Sequence, residues 1–142
     1  MSLLLFLAAA AAGQSFSCTP TQIVDANAPI LCADGQKVRL AGIAARPIEG
    51  ACAKGEACPE KSGEAARDRL ALALGGATAH LPNGRIAVAG APMQCTLVAK
   101  SSAYTLAACS AGKTDLGCMM VYEGYAVSRA DLGGARRCSA VL

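Results

Sequence analysis

Few side chains of this chain can do chemistry, and several of them lie around one predicted strand. The strand covers residues 37–43 and leaves Arg39 at the edge of a site. Asp25 and Asn27 lie in a turn-like segment before it. A guanidinium group can donate hydrogen bonds to a phosphate, and a carboxylate can hold a metal ion or accept a proton from water. The position directly after the strand is Ala44, whose methyl group can neither hold a metal ion nor accept a proton.

Several of the charged residues also have an ordinary structural interpretation. Arg39 could pair with a carboxylate, Asp25 or Asp34, instead of binding a phosphate. His80 is the only histidine. We expect it on a strand face, because a general-base histidine needs a positioned partner and none is evident. Three further arginines are predicted to be solvated surface charges: Arg46, Arg136 and Arg137.

Short strands and turns are predicted for the first part of the chain. Residues 23–24 and 30–32 flank a turn-like segment rich in Asp, Asn and Pro. Asp34-Gly35 is a hairpin signal that leads into the strand at residues 37–43. A loop is expected from residue 46 to residue 61. Further strands are predicted at residues 77–81, 86–89, 95–100 and 105–109, with an irregular tail over residues 125–142.

Two helices are predicted between these strands. The first starts after the capping residue Ser62 and stops at Gly75. Its buried side is marked by apolar residues at helical spacing: Ala66, Leu70, Ala73 and Leu74. The second is capped by Thr114 or Asp115 and stops at Gly124. Its inward-facing residues are Leu116, Met119 and Met120.

Residues 1–13 are predicted to be a cleaved secretory signal peptide, and residues 14–142 a single domain. The apolar run at the start is too short for a membrane span, which takes about 20 residues, and small residues follow it. No lysine or arginine precedes the run, which departs from the usual signal pattern. The alternative is a buried N-terminal strand or helix. We expect a periplasmic or secreted protein without a stable membrane span.

The eight cysteines favour disulfides in an oxidising compartment. The chain has no Cys-x-x-Cys and a single histidine, so zinc is not expected, and no other metal or cofactor is predicted. The simplest pairing joins neighbours along the chain, although eight cysteines allow about 105 arrangements. It predicts four disulfides and no free thiol: Cys18–Cys32, Cys52–Cys58, Cys95–Cys109 and Cys118–Cys138.

The charge and aromatic content limit the range of partners. The formal net charge is +3, aromatic residues make up 4% of the chain, and there is no tryptophan. Such a chain attracts polyanions weakly and offers little surface for base stacking. A dedicated nucleic-acid binder with a dense basic stripe is therefore not expected.

Four segments of the chain match, in order, the motifs of one known family. Residues 24–28 have the sequence Val-Asp-Ala-Asn-Ala, where that family has Val-Asp-Gly-Asp-Thr. Residues 38–45 match its Val-Arg-Leu-Ala-Gly-Ile-Asp-Ala, residues 63–75 match the helix that follows, and residues 105–126 match its last strand and helix. The chain thus resembles the staphylococcal-nuclease-like (thermonuclease) family over nearly all of residues 14–142. The resemblance implies an α+β, mainly β fold, with a five-stranded OB-fold-like barrel and flanking helices.

The family cleaves phosphodiester bonds of DNA or RNA, and most of its catalytic positions are replaced in this chain. The family uses carboxylates to hold calcium, a glutamate to act on water and two arginines to stabilise the phosphate. By the resemblance, Arg39 keeps the first arginine position. The other positions hold residues without the required charge: Asn27 and Ala44 for the metal carboxylates, Pro47 for the glutamate and Tyr104 for the second arginine. Losing one transition-state donor alone slows such reactions about 100- to 1000-fold.

Three functions remain open from the sequence. The first is an exported thermonuclease-like domain that has lost catalysis and acts as a binding or interaction module. The second is an active metal-dependent nuclease, with calcium as its cofactor, that uses a displaced set of groups, for instance Asp25, Glu49 and Arg39. The third is a structural subunit that recognises another protein of the cell envelope. Weak nucleic-acid binding would separate the first from the third, because it falls steeply with salt.

Overall fold

The computed structural model describes residues 12–133 and Cys138. The predicted signal segment therefore lies outside the described residues, apart from Ala12 and Gly13, which form an exposed turn. Arg136 and Arg137 also lie outside them.

The described chain is mainly β, with two helices. The strands are β1 (Ser15–Cys18), β2 (Pro20–Ile23), β3 (Ile30–Cys32), β4 (Lys37–Leu40), β5 (Ile43–Ala45), β6 (Ala77–His80), β7 (Ile86–Val88), β8 (Met93–Lys100), β9 (Thr105–Ala111), β10 (Thr114–Asp115) and β11 (Ala126–Ser128). The helices are α1 (Gly63–Ala73), between β5 and β6, and α2 (Leu116–Tyr122), between β10 and β11. A single 3-10 turn, Ala130–Leu132, follows β11.

Nine strands form one sheet in the order β1-β8-β9-β4-β3-β2-β7-β6, with β10 paired to β9. All pairs are antiparallel except β4 and β9, which are parallel. Strands β7 and β8 are five steps apart in this order, which is about 24 Å in a flat sheet. The chain joins Val88 to Met93 in five residue steps, which reach about 17 Å at most. The sheet must therefore curl, and it forms a curled half-barrel.

Small aliphatic side chains fill the inside of the curled sheet. The largest fully buried side chains come from six strands and from both helices with the C-cap of α1: Ile23, Ile30, Val38, Ile43, Ile86, Met93, Leu70, Leu74, Leu116 and Met120. In β8 and β9 burial alternates along the strand, because successive side chains point to opposite faces. The outer face is consequently free to carry polar groups.

Both predicted helices are confirmed, including their caps. The Ser62 side chain accepts a hydrogen bond from the amide of Ala65, and the Asp115 side chain accepts one from the amide of Cys118. Ala66, Leu70 and Leu74 are buried, and Ala73 is partly buried against the core. Leu116, Met119 and Met120 are buried as predicted. Arg69 of α1 forms two hydrogen bonds, at 3.0 and 3.1 Å, with the Glu123 carboxylate after α2.

Two sequence predictions about the strands are wrong. The strand expected over residues 37–43 is split into β4 and β5, because Gly42 adopts φ +75° and turns the chain. The tail expected to be irregular contains β11, which pairs antiparallel with β5. The backbone amides and carbonyls of β5 thus find partners in a segment that shows no strand-like run of its own.

All four predicted disulfides are confirmed, and the described residues contain no free cysteine. Four disulfides in a chain of this length indicate an oxidising, extracytoplasmic environment. Among the described residues, no helix has the length and apolarity needed to cross a membrane.

Candidate functional site

A cavity of about 350 Å³ lies where β4, β5, the loop after β5 and the segment after β11 meet. It collects four of the five positions that the resemblance singled out: Asn27, Arg39, Ala44 and Pro47. The remaining charged residues on its wall are Glu56 and Arg129, which the sequence did not point to. The fifth position, Tyr104, lies elsewhere.

Arg39 reaches the cavity because of its register in the sheet. Val38 and Leu40 of β4 are buried in the core, so Arg39 between them points to the other face. Its Nε is buried and has no hydrogen-bond partner among the residues that the structure describes. A buried donor left unpaired costs about 1–3 kcal/mol, so this group is the most unusual polar atom of the site.

The alternative that Arg39 pairs with Asp25 or Asp34 is wrong. Asp25 Oδ1 accepts hydrogen bonds from the amides of Asn27 and Ala28, at 2.8 and 2.6 Å. The Asp34 carboxylate accepts from the backbone and side chain of Gln36, and these bonds lower the pKa of Asp34 below its ordinary value. Both carboxylates stabilise local turns, and within the described residues neither forms an ion pair with Arg39.

Arg129 is brought to the cavity by the pairing of β11 with β5. Ser128 is paired with Ile43, so Arg129 comes level with the Gly42 corner that follows β4. The Arg129 amide donates to the Gly42 carbonyl at 2.8 Å, and the Gly42 amide donates to the Leu132 carbonyl. These two backbone hydrogen bonds hold the segment after β11 against the Gly42 corner. Nothing in the sequence pointed to this position, because Arg129 resembles any other surface arginine.

Two carboxylates accompany Arg129. Its Nε and Nη2 donate to Asp131 at 2.8 and 2.6 Å, and its Nη1 lies 3.2 Å from Glu56 Oε2. The hydrogen bonds to Asp131 raise the pKa of Arg129. They also hold the pKa of the Asp131 carboxyl below its ordinary value, and the positive charge of Arg39 adds to this lowering. Arg39, Arg129, Asp131 and Glu56 therefore form one electrostatic cluster.

Asn27 is fixed by its side-chain amide. Its Nδ2 donates to the Ala45 carbonyl at 2.8 Å, and its Oδ1 accepts from the Ala45 amide at 2.7 Å. The amide group thus continues the hydrogen bonding of β5 in the way a neighbouring strand would. An aspartate at this position would lack the donor, so the neutral amide suits a structural bridge better than a metal ligand.

The other positions supply no metal ligand. Ala44 offers a methyl group, and Pro47 has no polar side chain. Glu49 is exposed and lies outside the lining of the cavity, as does Asp25. Within residues 12–133 and Cys138, no group of three or more His, Cys, Asp or Glu side chains is placed to hold a metal ion.

The loop over residues 46–61, which the sequence predicted, forms one wall of the cavity. Arg46 is half-buried and its Nη2 donates to the Pro59 carbonyl at 2.8 Å, so the prediction that it is a solvated surface charge is wrong. Where the loop meets α1, Gly63 packs against the backbone of Arg46 and Pro47. The Cys52–Cys58 disulfide closes the middle of the loop, and Cys52 lines the cavity.

Tyr104 lines a second cavity of about 320 Å³ together with Lys37 and Arg85. No ion pair to either cation occurs within the described residues. Ala28 lines this second cavity, and its neighbour in the sequence, Asn27, lines the first. His80 lies on the exposed strand β6, as expected, and outside both cavities.

The geometry of the first cavity favours binding an oxyanion. It combines two guanidinium groups with small apolar side chains, and guanidinium groups bind phosphate or carboxylate through paired hydrogen bonds. No protein-family model matches this chain, and no curated protein matches it significantly.

Proposed function

We propose that this chain is an exported thermonuclease-like domain that has lost the family's catalysis and binds an oxyanion, of phosphate type, in the Arg39 cavity. Its scaffold is proposed to be the OB-fold-like barrel of that family. The curled sheet and the two flanking helices support this proposal. The observation that carries the binding role is the buried, unpaired Nε of Arg39.

An oxyanion is the group that satisfies Arg39 best. The guanidinium presents its Nε–H beside an Nη–H, which together match two oxygens of a phosphate. Within the described residues Arg39 forms no direct ion pair, although its positive charge acts on Asp131. The second guanidinium on the wall of the cavity is that of Arg129, from the segment after β11.

The loss of catalysis is supported by what surrounds Arg39. The Asn27 amide is engaged with Ala45 at both its nitrogen and its oxygen, so it is a poor calcium ligand. Calcium takes six to eight oxygen ligands, usually with several carboxylates, and the cavity contributes the single carboxylate of Glu56. That carboxylate is already paired with Arg129.

The test is a titration of oxidised protein with inorganic phosphate, followed through the Nε–H signals of the arginine side chains by NMR. We expect the Arg39 signal to shift in a saturable manner. Arg39→Gln should weaken phosphate binding about tenfold or more, because a hydrogen bond to a charged group contributes about 1.5–3 kcal/mol. Arg67→Gln, on α1 and outside the cavity, is the matched control and should bind as the unaltered protein does.

Unchanged phosphate affinity in Arg39→Gln would contradict the binding role. The same samples should be incubated with DNA and RNA, first with calcium and then with a chelator. We expect no calcium-dependent cleavage. Cleavage that survives purification and disappears in Asp25→Ala or Glu49→Ala would establish the alternative, an active nuclease with displaced groups.

Single-stranded DNA distinguishes an isolated phosphate site from a nucleic-acid groove. The second cavity, with Lys37, Arg85 and Tyr104, offers cationic groups for the next part of a longer polyanion. DNA binding that weakens steeply with salt and also with Lys37→Gln would indicate such a groove. Phosphate binding without DNA binding would limit the ligand to a small molecule or a protein-borne phosphate.

A further inference from the structure

The wall of the cavity includes a carboxylate, that of Glu56. Its Oε2 lies 3.2 Å from Nη1 of Arg129, and both residues line the cavity with Arg39. An oxyanion that binds between the two arginines carries the same charge as Glu56 and seeks the same donor. Glu56 therefore competes with any such ligand for Arg129.

Of the two carboxylates on Arg129, Glu56 is the one that a ligand can displace. Asp131 is two residues away on the same segment and is held by two hydrogen bonds of 2.8 and 2.6 Å. Glu56 makes a single, longer contact across the cavity, from a different loop. Paired hydrogen bonds are stronger than a single one, so Asp131 stays and fixes the orientation of Arg129.

A small disulfide loop holds Glu56 in this place. Cys52 and Cys58 close the loop, and within it the Glu56 amide donates to the Ala53 carbonyl at 3.0 Å. Gly55 adopts φ +84°, a conformation that suits glycine, and so completes the turn. The disulfide thus restricts the distance that the Glu56 carboxylate can move from Arg129.

This disulfide is open to solvent, in contrast to those of the sheet. Cys58 is exposed and Cys52 is half-buried. The four cysteines of the two sheet disulfides are between 1% and 3% exposed: Cys18, Cys32, Cys95 and Cys109. Thiol–disulfide exchange requires access to a sulfur atom, so a reductant reaches the Cys52–Cys58 bond more readily than the two sheet disulfides.

We propose that Glu56 sets the affinity of the cavity for oxyanions, and that the Cys52–Cys58 disulfide keeps it in competition with the ligand. This inference rests on the proposed oxyanion binding. A dithiol breaks the Cys52–Cys58 bond by exchange, becomes a disulfide itself and leaves two thiols on the protein. The opened loop then releases Glu56 from Arg129, and the cavity binds the oxyanion more tightly.

The experiment measures phosphate affinity by the same NMR titration in four forms of the full protein. They are the unaltered protein, Glu56→Gln, the double variant Cys52→Ser/Cys58→Ser and the combination of all three changes. We expect Glu56→Gln to tighten binding about two- to fivefold, the range that corresponds to a partly exposed ion pair. The double cysteine variant should tighten it in the same direction. The combination should bind no more tightly than Glu56→Gln alone, because both changes act on the same contact.

Glu49→Gln is the matched control, because it removes the same charge from the same loop outside the cavity. An equal gain in Glu49→Gln would assign the effect to net charge and overturn the inference. Unchanged or weaker binding in Glu56→Gln, with Arg39 still required, would overturn the inference alone. If Arg39→Gln leaves the phosphate affinity unchanged in all four forms, both the proposed function and this inference are overturned. Circular dichroism of each variant checks that the fold is retained.

Discussion

At the scale of single residues, the Asn27 side chain connects two segments of the backbone. The amide ties the loop after β2 to the backbone of β5 through one donated and one accepted hydrogen bond. Only a side chain that both donates and accepts can make this pair of bonds. The Asn27 side chain thus stabilises the wall of the cavity. An aspartate at the same position could not donate to the Ala45 carbonyl.

Asn27→Asp should therefore destabilise the protein and should not create a calcium site. The new carboxylate loses the donor to Ala45 and faces that carbonyl oxygen. An unpaired buried acceptor of this kind costs about 1–3 kcal/mol. Urea unfolding at neutral pH measures the loss, and a repeat with calcium shows whether the ion restores stability.

Asn83→Asp is the matched control for this change. Asn83 lies in an exposed turn, where its Oδ1 only accepts a hydrogen bond from the Arg85 amide at 3.0 Å. An aspartate can accept the same bond, so we expect a change below about 0.5 kcal/mol. An Asn27→Asp protein that is stable and binds calcium would contradict this prediction. It would show that one substitution is enough to create a calcium site in the cavity.

At the scale of elements, the start of α1 and the cavity loop are built against each other. Gly63 is the first residue of α1, after the cap at Ser62, and it is buried. A Cβ at Gly63 would lie 2.5 Å from the Pro47 carbonyl oxygen and would also overlap the Arg46 carbonyl oxygen. The absence of a side chain thus allows the helix to touch the loop that carries Pro47.

Gly63→Ala should destabilise the protein by about 1–3 kcal/mol, the range for inserting a group into a packed site. Helix propensity alone predicts the opposite sign, a gain of up to about 1 kcal/mol for replacing glycine by alanine. The steric term should win, because the overlapping atoms belong to backbone that cannot rotate away. Urea unfolding gives the sign directly.

Glu64→Ala serves as the control in the same helix turn. Glu64 is exposed at the helix start, so we expect a loss below about 1 kcal/mol from its interaction with the helix dipole. A Gly63→Ala protein as stable as the unaltered one would mean that the loop with Arg46 and Pro47 can move away from the new methyl group without a loss in the free energy of unfolding. In that case Gly63 would not set the position of Pro47.

At the scale of the whole molecule, a core of small side chains is supplemented by disulfides. Alanine and cysteine are numerous among its buried residues, and they bury less apolar area than leucine or phenylalanine. Two of the four disulfides lie inside the sheet, where they connect β1 to β3 and β8 to β9. The disulfides reduce the conformational entropy of the unfolded chain, and this stabilisation offsets the small apolar area that the core buries.

Replacing Cys18 and Cys32 together by alanine should cost about 3 kcal/mol. The bridge spans 14 residues, and the chain-entropy relation gives about that value for a loop of this length. Replacing Cys52 and Cys58, which are six apart, should cost less, about 2 kcal/mol. Urea unfolding of the two double variants tests this order, and the reverse order would show that the short loop contributes to the fold itself.

The sequence determined the features that depend on nearby residues. Helix caps, the side of each helix that is buried and the hairpin at Asp34-Gly35 follow from spacings of a few residues, and all are present. The nearest-neighbour disulfide pairing also held, because each bridge joins cysteines at most 20 residues apart. The placement of Arg39 on the outer face of β4 follows from strand alternation.

The tertiary structure decided which groups stand around Arg39. Arg129 arrives there because β11 pairs with β5, some 80 positions away along the chain, and Glu56 arrives through a disulfide loop. Such contacts depend on backbone hydrogen bonds between distant segments, which leave no periodic pattern in the sequence. Tyr104 lies in the turn before β9, where its carbonyl accepts a hydrogen bond from the Ser101 amide, and it lines the second cavity instead of the first. The set of charged groups in the cavity thus depends on tertiary contacts, whereas the helices and turns that carry them follow from local sequence patterns.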